Sequence, residues 1–456
     1  MRRRCRKICL YFEEVLKGLV TRKVFRLVSC IEAKAMVEKT VFNKLRFFFL
    51  YFITGFFLFI MLPQSAVSDL VDESFLRLPV PTEVDTGYSV ATGDVDGNDS
   101  IDFVTARQAG LQLMLNNGSG IFQAASEGSL PVSLSTQTII SVQLADLDGD
   151  TDLDLILANG SGYNFLLINN GSGRFQDETS ARMPVNSAIS VAVSVADIDS
   201  DGDKDLIIAN RNAANTLLIN NGSGVFSDVT QAQLGTDSEQ SNGLLLFDAN
   251  ADGSKDLLVL NEKNIRLFIN NGLGAFVDKS SIQLPGIQFG GIAAQSVDIE
   301  NDGDQDVVVA AAAMGARLLV NDGTGVFSDE TSTLLPENSD FTIKVAIEDI
   351  DFDGLSDILL ANAGQDRVLI NEGNGHFANS GLLAVDDLRS FGAAVLDIED
   401  DFDVDALLTT SKGTDRLFVN NIGVPRIRLQ VSPDYIETGD NTTITVDVFD
   451  EDGIAS

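Results

Sequence analysis

DIDSDGDKD, Asp197 to Asp205, carries an oxygen-bearing side chain at its first, third, fifth and ninth positions and glycine at its sixth. A hard cation such as Ca2+ takes six to eight oxygens at about 2.3–2.6 Å, and alternate side chains of a curled loop can supply them. Gly202 permits the positive φ that such a curl requires. DIDFDGLSD, Asp349 to Asp357, repeats the pattern, and related loops begin at Asp94, Asp146, Asp248, Asp298 and Asp397. Seven loops therefore follow one another at steps of 52, 51, 51, 50, 51 and 48 residues. A single acidic loop is weak evidence for a cation site. Seven in register form a repeat.

Outward from Asp197, SVAVSVADI (Ser190–Ile198) alternates apolar and small residues into the loop, and DLIIAN (Asp205–Asn210) and TLLIN (Thr216–Asn220) follow it. The turn NGSG (Asn221–Gly224) then leads into VFSDVT (Val225–Thr230). Four short strands with turn signals between them predict one antiparallel sheet. A four-stranded unit of about fifty residues must stack on its neighbours to bury both faces, which predicts an all-β, seven-bladed propeller. The hairpin recurs as NNGSGIF, NNGSGRF, NNGSGVF, NNGLGAF, NDGTGVF and NEGNGHF, starting at 116, 169, 220, 270, 321 and 371. Its Phe (Phe122, Phe175, Phe226, Phe276, Phe327, Phe377) is expected to pack between blades. The seventh hairpin runs from Asn420 into Val424-Pro425 and lacks a fourth strand. SFLRLPV (Ser74–Val80) precedes the first loop and is expected to supply that strand, closing the ring without an open sheet edge.

These segments resemble the FG-GAP or VCBS repeats of integrin α-chain propellers and of many bacterial secreted proteins. Phe289-Gly290 and Phe391-Gly392 retain the Phe-Gly pair. The resemblance covers about residues 74–423, within a propeller domain placed at 69–423, and implies calcium loops between the first and second strands of each blade. Carried over by position, the implied ligands are Asp94, Asp96, Asn98 and Asp102 in loop one and Asp146, Asp148, Asp150 and Asp154 in loop two. Loop three has Asp197, Asp199, Asp201 and Asp205; loop four has Asp248, Asn250, Asp252 and Asp256. Loop five has Asp298, Glu300, Asp302 and Asp306, loop six Asp349, Asp351, Asp353 and Asp357, and loop seven Asp397, Glu399, Asp401 and Asp405. Asn98 and Asn250 each remove one charge from a site. Asp99, Thr151 and Phe402 replace glycine at position six. A bulky residue at positive φ is costly, so loop seven is expected to be the weakest of the Ca2+ sites.

The chain has 31 Lys and Arg against 67 Asp and Glu. Residues 1–68 hold 13 of the basic residues and 4 of the acidic ones, so the remaining chain carries a net charge near −45. Such a surface repels nucleic acid and anionic lipid. Phe47 to Leu62 is an uncharged, apolar run preceded by Lys44 and Arg46. Sixteen residues fall short of the ~20 that span a bilayer as a helix, and Ala66-Val67-Ser68 suits a signal peptidase. Residues 1–68 are therefore expected to be a secretory signal or, less simply, an uncleaved membrane anchor, with Met36 as the alternative start of translation. Either outcome places the propeller in a secreted or cell-surface, extracytoplasmic setting. Cys5, Cys9 and Cys30 all lie in this leader, so disulfides are not expected to brace the ring.

Beyond Val424 the period is lost. Residues 424–456 read as two strands that resemble the start of an immunoglobulin-like domain, which needs ~100 residues. Asn441-Thr442-Thr443 fits a glycosylation acceptor in a host that uses one. No catalytic group stands out. His376, alone outside any cluster, reads as an exposed turn residue, and carboxylate pairs cannot be singled out among so many acids. The absence of Trp, with Tyr88, Tyr163 and Tyr435 the only tyrosines beyond the leader, weighs against a carbohydrate-binding propeller or a polysaccharide-degrading enzyme, the two rival readings. Arg266, Arg317, Arg367 and Arg416 recur at the entry to the third strand and are expected to pair with carboxylates such as Asp366 and Asp415. The favoured expectation is a non-catalytic adhesion or protein-interaction module with an extracellular protein or glycan partner. That partner is expected on the varied face opposite the acidic loops, where Arg211, Lys263, Arg367 and Lys412 favour an acidic ligand.

Overall fold

A computed structural model describes residues 70–80, 85–235, 239–311, 314–337, 340–381, 383, 389–411 and 415–420, and the backbone of three later strands. The leader and its cysteines lie outside these residues. Seven four-stranded antiparallel sheets follow one another, each ordered first, second, third, fourth strand. Blade three is typical: Ile189–Ala196, Asp205–Arg211, Thr216–Asn220 and Phe226–Asp228. First strands of successive blades lie against one another round the ring, which makes them the innermost strands. Second strands are buried along their length, as at Asp154–Asn159 and Asp357–Asn362, save for the exposed last residue Arg211 of blade three. These near-continuous apolar runs are covered on both sides, as expected for sheets packed face to face.

The core sits between blades. Val95, Val104, Ala106 and Leu113 of blade one pack with Val142, Leu155, Leu157 and Phe175 of blade two. The six hairpin phenylalanines are all buried. Phe327 of blade five meets Phe247 of blade four with ring centroids 6.0 Å apart. His376 is exposed in its turn, as the sequence implies.

The ring closes through the chain's beginning, but not with the residues expected. Val71–Asp72 is the fourth strand of blade seven, pairing with Phe418 and Val419, whereas Ser74–Arg77 is a four-residue helix. The same helix follows the fourth strand of blades two to five, at Thr179–Arg182, Thr230–Gln233, Ser280–Gln283 and Thr331–Leu334. Asp72, Asp177, Asp228, Asp278 and Asp329 each accept the N–H of the helix's first residue. LVDESFLRLP at 70–79 thus matches FQDETSARMP at 175–184, with buried Leu70 in place of the hairpin Phe.

Beyond the ring, Arg426–Ser432, Thr443–Asp450 and Gly453–Ile454 form one three-stranded antiparallel sheet. An immunoglobulin-like module finds no support among the described residues.

Candidate metal centres in the blade loops

Each acidic loop joins the first and second strands of its blade, and one hydrogen-bonding scheme builds all seven. The position-one Asp accepts the N–H of residue six: Asp94 from Asp99, Asp146 from Thr151, Asp197 from Gly202 and Asp397 from Phe402. The same bond holds Gly253, Gly303 and Gly354. Residue five then accepts the N–H of residue seven, as Asp201 does from Asp203 and Asp353 from Leu355. Positions four and six are both left-handed. Loops one to six place one glycine among the two, from Gly97 beside Asp99 to Gly354 beside Phe352. Loop seven has none: Asp400 and Phe402 take φ values of 59° and 72°.

The position-nine Asp is fully buried in every loop. One oxygen accepts the N–H of loop residue two, and the other accepts the N–H of an Asn at the end of the third strand. In loop two these bonds run from Leu147 and Asn169 to Asp154, and in loop three from Ile198 and Asn220 to Asp205. Burial pushes Asp102, Asp205 and Asp256 up to about 6 and Asp154 and Asp357 up to about 7, against the lowering effect of those N–H groups. Part of the expected ligand set is therefore structural: residue nine fastens the loop to the sheet whether or not it touches an ion.

In loops one to three the position-three carboxylate is under-satisfied. The Oδ1 atoms of Asp96, Asp148 and Asp199, and of Asp197 beside it, are buried and accept no hydrogen bond. Burial, followed by neighbouring aspartates, raises the carboxyls of Asp96, Asp148 and Asp199 above the ordinary range. Carboxylate oxygens of Asp94, Asp96 and Asp102 all lie within 4.8 Å of one another, as do those of Asp146, Asp148 and Asp154, of Asp197, Asp199 and Asp205, and of Asp349, Asp351 and Asp353. Oxygens on one Ca2+ lie no more than about 5 Å apart. Buried, unpartnered carboxylate oxygens at that spacing fit a divalent cation.

Among the described residues, loops four, five and seven form no such trio, and their third residue explains why. Asn250 turns its amide onto Asp252 at 3.0 Å. The longer Glu300 reaches the position-nine carboxyl of Asp306. Glu399 is held at 2.6 Å by the guanidinium of Arg77, which also donates to the Ser119 carbonyl of blade one. Arg182 stands in the same place in blade two, donating to Asp148 Oδ2 and to the Ser223 carbonyl. In both places one carboxylate oxygen, Asp148 Oδ1 and Glu399 Oε2, stays unpartnered. Asn98 of loop one donates its amide to the Asn116 carbonyl, so its side chain braces the loop.

Seven asparagines carry a role that the sequence reading did not assign. Asn169, Asn220, Asn270, Asn321, Asn371 and Asn420 each donate a side-chain N–H to the loop-residue-two carbonyl of the preceding blade: Val95, Leu147, Ile198, Ala249, Ile299 and Ile350. Asn116 donates to Ile398 and completes the circle. The signal was present, since the first residue of every NNGSG-like turn is Asn while the second varies.

The recurring arginines do pair with carboxylates, but mostly with other partners than those expected. Arg266 bonds Asp278 at 2.6 Å, Arg317 lies 3.5 Å from Asp329, Arg367 bonds Asp340 and Arg416 bonds Asp72. Asp415 instead forms a buried pair with Arg107, and Asp366 accepts from Ser390 and the Asn362 N–H. Lys412 lies outside the described residues.

Comparison with known proteins agrees with this construction. No curated protein matches the chain. Solved structures that share its fold include BBS1N in complex with ARL6DN, at 13% identity and TM-score 0.50, covering 77% of this chain and 96% of that one. Saccharomyces cerevisiae Sqt1 aligns at 10% identity and TM-score 0.49, over 85% of this chain and 97% of that one. An Agrocybe aegerita lectin that recognises terminal N-acetylglucosamine aligns at 20% identity and TM-score 0.43, over 64% and 79%. The FG-GAP-like repeat model matches five overlapping stretches, 94–157, 146–208, 197–259, 248–309 and 298–360, each running from one acidic loop into the next blade. Those stretches span more than half of the sequence, and the chain belongs to the FG-GAP-like repeat family.

Proposed function

We propose that the chain is a secreted or cell-surface, non-catalytic binding platform whose blades are ordered by Ca2+. The observation that carries this reading is the set of buried, unpartnered Asp oxygens in loops one to three. A buried carboxylate without a partner is costly, and a divalent cation removes the cost. Residues one, three and five or nine of loops one, two, three and six would hold the ion. When bound, it would supply charge neutralisation and tie the loop to its blade. The first 68 residues support an extracytoplasmic setting, where bound calcium would do the bracing that disulfides often do in secreted proteins. The uniform loop face is a scaffold, and the varied opposite face supplies the diversity that partner recognition needs.

Extracellular modules bind Ca2+ with dissociation constants of about 10⁻⁴–10⁻³ M, and tenfold excess stabilises by roughly 1.4 kcal/mol per site. Thermal melting in calcium, in chelator, and in chelator followed by excess Mg2+ tests the proposal. Chelation should lower the melting temperature by several degrees, and Mg2+ should restore little of it. Identical curves in calcium and chelator would rule the reading out.

A further inference from the structure

We infer that the last residue of the helix after strand four tunes the cation affinity of the acidic loop in its own blade. Gln233 adds a side-chain oxygen to loop three, whereas Arg182 is a tethered cation that weakens loop two. The inference rests on the cation reading of the loops and deepens it by ranking two of the sites.

Five blades end in that helix, and its last residues are Arg77, Arg182, Gln233, Gln283 and Leu334. Each reaches the seam between the acidic loop of its own blade and the glycine turn of the next. The second glycine of the turn marks the spot, because it lies against the third loop residue. A Cβ on Gly224 would sit 3.0 Å from Asp148 Cβ and 2.7 Å from an Arg182 guanidinium nitrogen. One on Gly274 would sit 3.4 Å from Asp199 Cβ and 2.9 Å from Gln233 Oε1. One on Gly375 would meet Glu300 Cγ and Leu334 Cδ1, each at 3.5 Å. The same place is thus filled by a guanidinium in blade two, an amide in blade three and a methyl group in blade five.

In loop three the amide turns its oxygen to the seam. Gln233 Oε1 is buried and accepts no hydrogen bond, like Asp197 Oδ1 and Asp199 Oδ1. An amide beside a carboxylate gains by presenting its N–H2 to it, so an oxygen held there without a donor is the orientation that a cation rewards. Ca2+ takes neutral amide oxygens together with carboxylates to reach six to eight ligands. In loop four, where Asn250 replaces the carboxylate, Gln283 presents its nitrogen instead, 2.7 Å from a Cβ on Gly325. In loop two Arg182 donates to Asp148 Oδ2 at 3.2 Å and to the Ser223 carbonyl at 2.8 Å. A guanidinium stays charged at any ordinary pH. At about 6 Å in a water-like dielectric, its charge weakens the binding of a divalent ion about tenfold. Asp148 Oδ1 remains unpartnered, so loop two is weakened rather than closed.

Native mass spectrometry across a calcium titration tests this with variants that exchange residues between sibling blades. Arg182→Gln copies blade three and Gln233→Leu copies blade five, so the seam has precedent for both. Arg182→Gln should bring one ion to half-occupancy at about tenfold lower calcium, and adding Asp148→Ala should remove that ion. Gln233→Leu should raise the calcium that one ion needs severalfold, whereas Gln233→Glu should retain or tighten it. Gln231→Glu, at an exposed position of the same helix, controls for added charge and should leave the curve in place. An unchanged filling curve for Arg182→Gln, or Gln233→Glu behaving like Gln233→Leu, would overturn the inference while the ions themselves stay bound. No bound ion in any variant would sink the cation reading, and this inference with it.

Discussion

Replacing Asn220 with alanine should destabilise the ring far more than an exposed turn substitution has reason to. Its side-chain N–H groups donate to the Leu147 carbonyl of blade two at 2.8 Å and to the Lys204 carbonyl of its own blade at 3.1 Å. Both bonds vanish in Asn220→Ala. A protein hydrogen bond contributes about 1 kcal/mol net, and a buried acceptor left unpaired costs about 1–3 kcal/mol. The Leu147 carbonyl lies in the buried inter-blade seam, so the expected loss is about 2–4 kcal/mol. Asn221→Ala is the control: Asn221 is exposed and only accepts from Ser223 and Val225, so it should cost under about 1 kcal/mol. The chain has no Trp, so urea unfolding is best followed by far-ultraviolet circular dichroism, with calcium fixed. If Asn220→Ala costs no more than Asn221→Ala, the asparagine stitch does not hold blades together.

Phe402→Gly should stabilise by about 0.5–1 kcal/mol in urea unfolding, because it relieves a left-handed Phe at the cost of some unfolded-chain entropy; a loss of stability would show that the Phe402 side chain has a packing role. Arg77→Ala removes the link from the closing helix to Glu399 and Ser119 and should make residues 70–80 susceptible to limited proteolysis before the rest of the ring, whereas an unchanged cleavage order would mean the clasp is idle. Burial raises Asp366 from 3.8 to about 6, against the N–H of Asn362 and the Ser390 hydroxyl. A raised folded-state value favours the protonated folded form, so this contribution is present below pH 4 and is lost as pH rises towards 6. Asp366→Asn should flatten the stability profile between pH 4 and 6 by up to about 2 kcal/mol at constant calcium, and an unaltered slope would contradict the assignment.

The ring was legible because its repeat is written in the loops. Seven acidic nonapeptides at one spacing specify blade number, and the alternation on either side specifies strands. The closing strand was legible in kind but displaced in place. SFLR has the apolar content of a strand, yet Asp72 accepts the N–H of Ser74 and caps a helical turn instead. Reading DES against the DET of blade two would have located it. Position four escaped notice because Ser200, Ala251 and Phe352 are ordinary residues whose left-handed φ is imposed by the loop's hydrogen bonds. The inequality of the loops was only partly visible. Asn250 announced a lost charge, but the capture of Glu399 by Arg77 joins residues 322 positions apart in the chain, a contact that exists only once the ring has closed.

The cation cages proposed for the blade loops differ in quality. Native mass spectrometry of the calcium-equilibrated chain, counted against Asp96→Ala, Asp148→Ala, Asp199→Ala and Asp351→Ala, tests it most directly. Four bound ions are expected, one for each loop whose carboxylates converge within 4.8 Å, and each substitution should remove one. No bound calcium, or an ion count indifferent to those four residues, would contradict the account.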